Sequence, residues 1–225
     1  MENLLTEKES LDLISQMINT AKNNLQKGTG KIFLLWGYLA AGISLATVIL
    51  LKVLPPETRY DAFYLWFLMG AGYPFHYFLI RKRSDEMLVK TYIEKLMNWV
   101  WIGFTISILV VVMGMLTDTV IVSFHADEFK TGHEFVRWFQ WILLTPIMLC
   151  LYGFALFVSG KAYQFKPLVI GGLVCFAASF LLIFLMHKIG VFPLQQLVLC
   201  ISAIAGFVIP GHLLNRKEKQ DVQGA

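Results

Sequence analysis

Two histidines in this chain sit in similar settings, each two residues beyond a proline. One closes Ala71-Gly72-Tyr73-Pro74-Phe75-His76 and the other Ala205-Gly206-Phe207 with Pro210-Gly211-His212. A basic pair follows each, Arg81-Lys82 and Arg216-Lys217. Proline has no N–H, so the carbonyl four residues earlier loses its helical donor and can face water or a ligand. An imidazole near such a carbonyl can exchange a proton near neutral pH or hold a small anion. If the two patterns converge, His76, His212 and Tyr73 line one pocket, with the amides Gln195 and Gln196 as further ligand-binding candidates. The competing reading is a pair of interfacial histidines that never meet.

A second group of candidates falls between residues 118 and 134. His125, Asp127, His133 and Glu134 are side-chain types that bind divalent cations. His-x-Asp and His-Glu match no established metal spacing, so a solvated outer loop is the better reading of them. Asp118 and Arg137 flank the region and are placed to pair across it. The three cysteines, Cys150, Cys175 and Cys200, lie in apolar surroundings, where cysteine behaves as a small hydrophobe. Cys150 and Cys175 fall at similar depth, but no CxxC or paired histidine accompanies them. No cofactor is implied.

Catalytic patterns are missing. The chain has no HExxH, no Gly-x-Ser-x-Gly and no Glu-Glu or Asp pair within an apolar stretch. A net charge of +4 does not point to nucleic acid, because the charges follow another logic.

The elements that must position these residues are six apolar stretches: 32–51, 62–80, 97–117, 138–160, 167–186 and 189–215. None contains Asp, Glu, Lys or Arg. A helix rising ~1.5 Å per residue crosses a ~30 Å hydrocarbon core in roughly 20 residues, and each stretch is about that long. Composition agrees: 57% hydrophobic, 15% charged, mean hydropathy +0.64. Soluble domains carry about 25% charged residues. The expected fold is an all-α, polytopic membrane protein of six transmembrane helices, read as three helical hairpins. Residues 1–31 would form a cytoplasmic amphipathic helix, 32–215 the membrane domain and 216–225 a cytoplasmic tail.

With six spans, segments 1–31, 81–96, 161–166 and 216–225 share one side and hold 14 of the 19 Lys and Arg residues. The positive-inside rule places that side, with both termini, in the cytoplasm. Aromatic residues fall where interface belts belong: Trp36, Tyr77, Trp99, Trp101 and Tyr163 inside, and Tyr60, Tyr64, Trp66, Trp138 and Trp141 outside. No signal peptide is apparent, since the first apolar run is long and starts late.

The polar N-terminal segment begins with a capping box, Thr6 and Glu9. Leu11, Ile14, Ile18, Ala21 and Leu25 then give one apolar face, ended by Gly28-Thr29-Gly30. Such a helix lies on the membrane or against its own bundle, or docks a soluble partner. Segment 81–96 is also predicted helical, its apolar side formed by Met87, Leu88, Ile93 and Leu96. Arg81-Lys82-Arg83 is a topology anchor or a site for anionic lipid.

Helices associate in lipid by close backbone approach, which small residues permit. Three stripes meet that need: Gly37, Ala41 and Ser44; Gly171, Cys175 and Ser179; and Ser202, Gly206 and Pro210.

The run Glu9-Ser10-Leu11-Asp12-Leu13-Ile14-Ser15, then Leu34-Leu35-Trp36-Gly37-Tyr38, and finally 210–217 from Pro210 to Lys217, resembles an uncharacterised family of small bacterial inner-membrane proteins. The resemblance implies a multi-pass protein of the bacterial inner membrane and carries no chemistry. Three classes of function stay open. The first is a non-enzymatic regulatory, sensory or scaffold component acting by association, as a homo-oligomer or with another membrane protein, among membrane lipids. The second is a small transporter or channel with a cytoplasm-facing pocket, and the third a membrane-embedded enzyme.

Overall fold

The computed structural model describes residues 10–12, 15, 28–85, 92–124, 133–185 and 191–223. These residues are helical almost throughout, and no strand occurs among them. Among the described residues from Gly28 onwards, seven α-helices follow one another: α1 (Thr29–Val53), α2 (Gly72–Asp85), α3 (Tyr92–Phe124), α4 (His133–Ala162), α5 (Lys166–Leu185), α6 (Val191–Ala203) and α7 (Ile209–Gln223). A 3₁₀ helix, Arg59–Ala71, leads into α2, and a π-helical turn, Ile204–Val208, joins α6 to α7. Among the described residues, five continuous helical stretches are apolar and long enough to cross a membrane: Thr29–Val53, Tyr92–Ile121, Trp141–Ala162, Lys166–Leu185 and Phe192–Gln220.

The stretch 62–80, expected as one α-helical span, is broken. It runs 3₁₀ for 13 residues and turns α-helical only at Gly72. Pro74 lies in the first turn of α2, where a missing N–H costs nothing. Continued backwards, an α-helix would need the Pro74 N–H to bond the Gly70 carbonyl. The 3₁₀ pattern removes that demand, and the Gly72 N–H bonds the carbonyls of Met69 and Gly70 instead. Runs beyond three or four residues are uncommon for 3₁₀ helices, so this one is unusual.

Prolines also interrupt the other two return helices, and the solutions differ. Pro210 cannot bond the Gly206 carbonyl, and the helix widens into the π turn just before it. Pro146 lies inside α4, which stays α-helical. Its unbonded carbonyl, that of Ile142, receives the side-chain amide of Gln195 from α6 at 2.7 Å. The Pro146 carbonyl in turn accepts the Ser179 hydroxyl of α5 at 2.8 Å. Two neighbouring helices thus hold the proline-bearing helix by hydrogen bonds inside an apolar core.

The core forms where α4, α5, α6 and the π turn meet α1. Leu149, Leu156, Leu168, Cys175, Leu182, Leu199 and Phe207 are buried there. Helices α4 and α5 make a tight hairpin. Its turn puts Gln164 in the left-handed region (φ 51°), with the Phe165 N–H on the Gly160 carbonyl at 2.9 Å. That bond closes the helix end as a Schellman motif does. The small-residue stripes all face inward: Gly37, Ala41 and Ser44 on α1, Gly171, Cys175 and Ser179 on α5, and Ser202, Gly206 and Pro210 across the π turn are buried. At Gly171 and Gly206 the backbones touch, since a Cβ on Gly171 would lie 2.7 Å from the Gly206 Cα.

Helix α3 stands apart. It packs chiefly on α4, and none of its membrane-length window is buried. An aromatic cluster ties it in: Trp101 stands edge-on to Phe33 of α1 at 5.7 Å, and Phe104 meets Tyr152 at 5.1 Å. Its hydroxyls hide their polarity within the helix. Thr105, Ser107, Thr117 and Thr119 each donate to the carbonyl four residues back, at 2.8–3.0 Å.

The capping box at Thr6 and Glu9, most of the N-terminal amphipathic helix and the residues 86–91 lie outside the described residues, although Ser10–Asp12 and Ser15 are helical.

Candidate functional site

Helix α1 is the element on which both proline-histidine patterns converge. The 3₁₀ helix and α2 lie along one side of it, and α6, the π turn and α7 along the other. Trp36 projects to the first side. Its indole N–H donates to His76 Nδ1 at 3.1 Å, and Tyr73 stands edge-on to its ring at 5.2 Å. Gly72 makes this approach possible, because a Cβ there would come within 2.8 Å of Leu39 and 3.0 Å of Trp36. Tyr38 projects to the second side, with its hydroxyl 2.7 Å from His212 Nε2. Gly211 and Gly30 bring α7 against α1, since a Cβ on Gly30 would lie 2.8 Å from the Gly211 carbonyl oxygen.

Positions two apart on an α-helix point roughly 200° apart, so the two imidazoles grip opposite faces of α1. His212 lines a cleft of which His76 is not among the lining residues. The repeat therefore recurs as a local device, an imidazole bonded to an aromatic side chain of α1 beside a change of helix type. The residues that would form a common pocket are distributed over both sides of the helix.

The cleft has a volume of about 580 Å³ and lies between the start of α1 and the first three turns of α7. Lys31 and Leu34 come from α1, and Asn215, Arg216 and Lys219 from α7, beside His212. Glu218, also in its wall, accepts the Gly28 backbone N–H at 3.2 Å. Gly28 has φ 71°, a left-handed conformation that suits glycine, and the bond ties α7 to the start of α1. The sequence marks Lys31, Arg216 and Lys219 as topology anchors. That they close round one cleft depends on chain ends about 185 residues apart, which no local pattern reveals.

Gln195 and Gln196 lie in the core, 1% and 3% exposed. Gln195 is committed through its amide nitrogen to Ile142, while the side-chain carbonyl oxygens of both glutamines have no hydrogen-bond partner among the described residues. Neither lines the cleft. Of the metal candidates, His125 and Asp127 lie outside the described residues. His133 and Glu134 belong to the first turn of α4, with their side chains outside them as well. Among the described residues no three His, Cys, Asp or Glu side chains gather as a metal site. Cys150 is exposed, Cys175 and Cys200 are buried, and all three are free thiols.

A second recess, about 310 Å³, runs between α3 and α4. Gly103 and Ser107 form its floor, with Trp99, Phe104 and Phe154 as walls. A Cβ on Gly103, or on Gly114 three turns further, would meet nothing within 4 Å. No family model matches this chain, and no curated protein or solved structure matches it either.

Proposed function

We propose that this chain is a six-span protein of the bacterial inner membrane, with both termini cytoplasmic, that acts as a non-enzymatic regulatory or sensory component by binding another transmembrane helix. The partner helix comes from a second copy or from a different membrane protein. One observation carries the reading: α3 is a membrane-length helix left uncovered on a small-residue face. Gly103, Ser107, Val110 and Gly114 recur at i, i+4, i+7 and i+11, which places them on one side. Trp99 at 68% exposure and Phe154 at 58% flank the floor of the recess. Small residues between aromatic walls let a neighbouring backbone come close, and such contact drives association in lipid.

The test places a photo-crosslinking amino acid at Phe154, beside the recess, and at Phe180 on the exposed side of α5. The expected result is one discrete protein adduct from Phe154 that Gly103→Leu with Ser107→Leu abolishes, and lipid adducts alone from Phe180. Lipid adducts alone at both positions remove the association reading. The topology is checked with cysteines at Glu57, Ser84 and Glu218 in a background lacking the native thiols. An impermeant maleimide is expected to label position 57 from outside, and positions 84 and 218 only from the cytoplasm. Outside labelling of position 84 would sink the six-span arrangement.

The cleft beside His212 favours a second reading, a small transporter or channel with a cytoplasm-facing pocket. Solute-driven flux in proteoliposomes that Tyr38→Phe alters would support it over association.

A further inference from the structure

We propose that the cleft between α1 and α7 binds a phosphate-bearing anion, with Lys31, Arg216 and Lys219 as its cationic ligands and His212, bonded to Tyr38, in its wall. Three cations and one carboxylate line the cleft, and the carboxylate, Glu218, is already occupied by the Gly28 N–H. Among the described residues, no acidic side chain forms an ion pair with Lys31, Arg216 or Lys219. Lys31, Arg216 and Lys219 are exposed around one recess, so an anion there meets cations from two helices at once. Helix α1 starts at this cleft with no acidic residue in its own first turn, and the carboxylate at its start is that of Glu218 from α7.

The geometry narrows the ligand. Arg216 offers a planar fork suited to paired phosphate oxygens, and the lysines offer point charges around it. Leu34 makes the wall apolar beside the cations, and Leu213 is exposed next to them on α7. A recess charged at the rim and apolar alongside suits a phosphate at headgroup level. The phosphate belongs either to an anionic phospholipid or to a soluble phosphate ester, and the experiment separates these sources. The inference does not depend on the association reading, because the cleft and the α3 recess share no residue.

The full chain is reconstituted in nanodiscs of phosphatidylcholine alone, of phosphatidylcholine with phosphatidylglycerol, and of phosphatidylcholine with added glycerol 3-phosphate. The melting midpoint is read in each. The parent is expected to gain roughly 2–4 °C with phosphatidylglycerol or with glycerol phosphate, and the condition that raises it names the source. Lys31→Gln with Arg216→Gln and Lys219→Gln should lose that gain. Lys52→Gln with Arg59→Gln and Lys161→Gln, which removes as many charges elsewhere, should keep it. Arg216→Gln alone, a milder change, should lose at least half. No gain in either condition, or an equal gain in the cleft variants and the control, overturns the proposal.

Discussion

Gly171→Ala is expected to lower the melting temperature of the purified bundle, whereas the same change at Gly42 should leave it unchanged or raise it. The two glycines share a residue type and a helical setting but not an environment. A Cβ on Gly171 would lie 2.7 Å from the Gly206 Cα, and 3.2 and 3.3 Å from the Gly206 and Ala205 carbonyl oxygens. These are backbone atoms, so the helices themselves must part. A Cβ on Gly42 would meet nothing within 4 Å, and there the ordinary preference of helices for alanine applies. Overpacking of this kind costs about 1–3 kcal/mol, or roughly 2–12 °C for a chain of this size. Leucine at Gly206 should do worse, since its Cβ would already press on Leu156 at 2.8 Å. A melting temperature for Gly171→Ala equal to that of Gly42→Ala would show that the α5–π turn contact does not hold the bundle together.

The second large effect concerns the proline in α4. Gln195→Leu keeps the volume but takes away the only donor shown for the Ile142 carbonyl, which Pro146 cannot serve. A buried carbonyl left without a partner costs about 1–3 kcal/mol. Pro146→Ala supplies a backbone N–H to that same carbonyl. In the Pro146→Ala background, Gln195→Leu should therefore cost less than about 0.5 kcal/mol. The difference is a double-mutant coupling free energy, measured by reversible unfolding in mixed micelles. Equal costs in both backgrounds would mean that Gln195 acts through packing alone, and the polar link would be removed from the account.

These expectations show the same division between chain and fold. Length and apolarity alone make the membrane-length helices, because an uncharged stretch of about 20 residues has one good home. The inward stripes of small residues were equally legible: Gly37, Gly171 and Gly206 stand where only close backbone contact rewards association, and all three are buried. Pro74 and Pro210 were visible as interruptions beside the two histidines, while Pro146 was not singled out. How each is resolved was not legible, since a proline states only which hydrogen bond is lost. Pro74 is preceded by a 3₁₀ run, Pro210 by a π turn, and Pro146 is repaired by an amide from α6, 49 residues along the chain. Neighbouring helices select among these outcomes through the space and the donors they present. The histidines show the same limit. Their matched spacing left open one shared pocket or two histidines that never meet, and Trp36 and Tyr38 hold them on opposite faces of α1. The cationic cleft exists only because the start of α1 and the first three turns of α7 lie side by side. Local sequence set the residues and their periodicity, and packing between distant segments decided which of them meet.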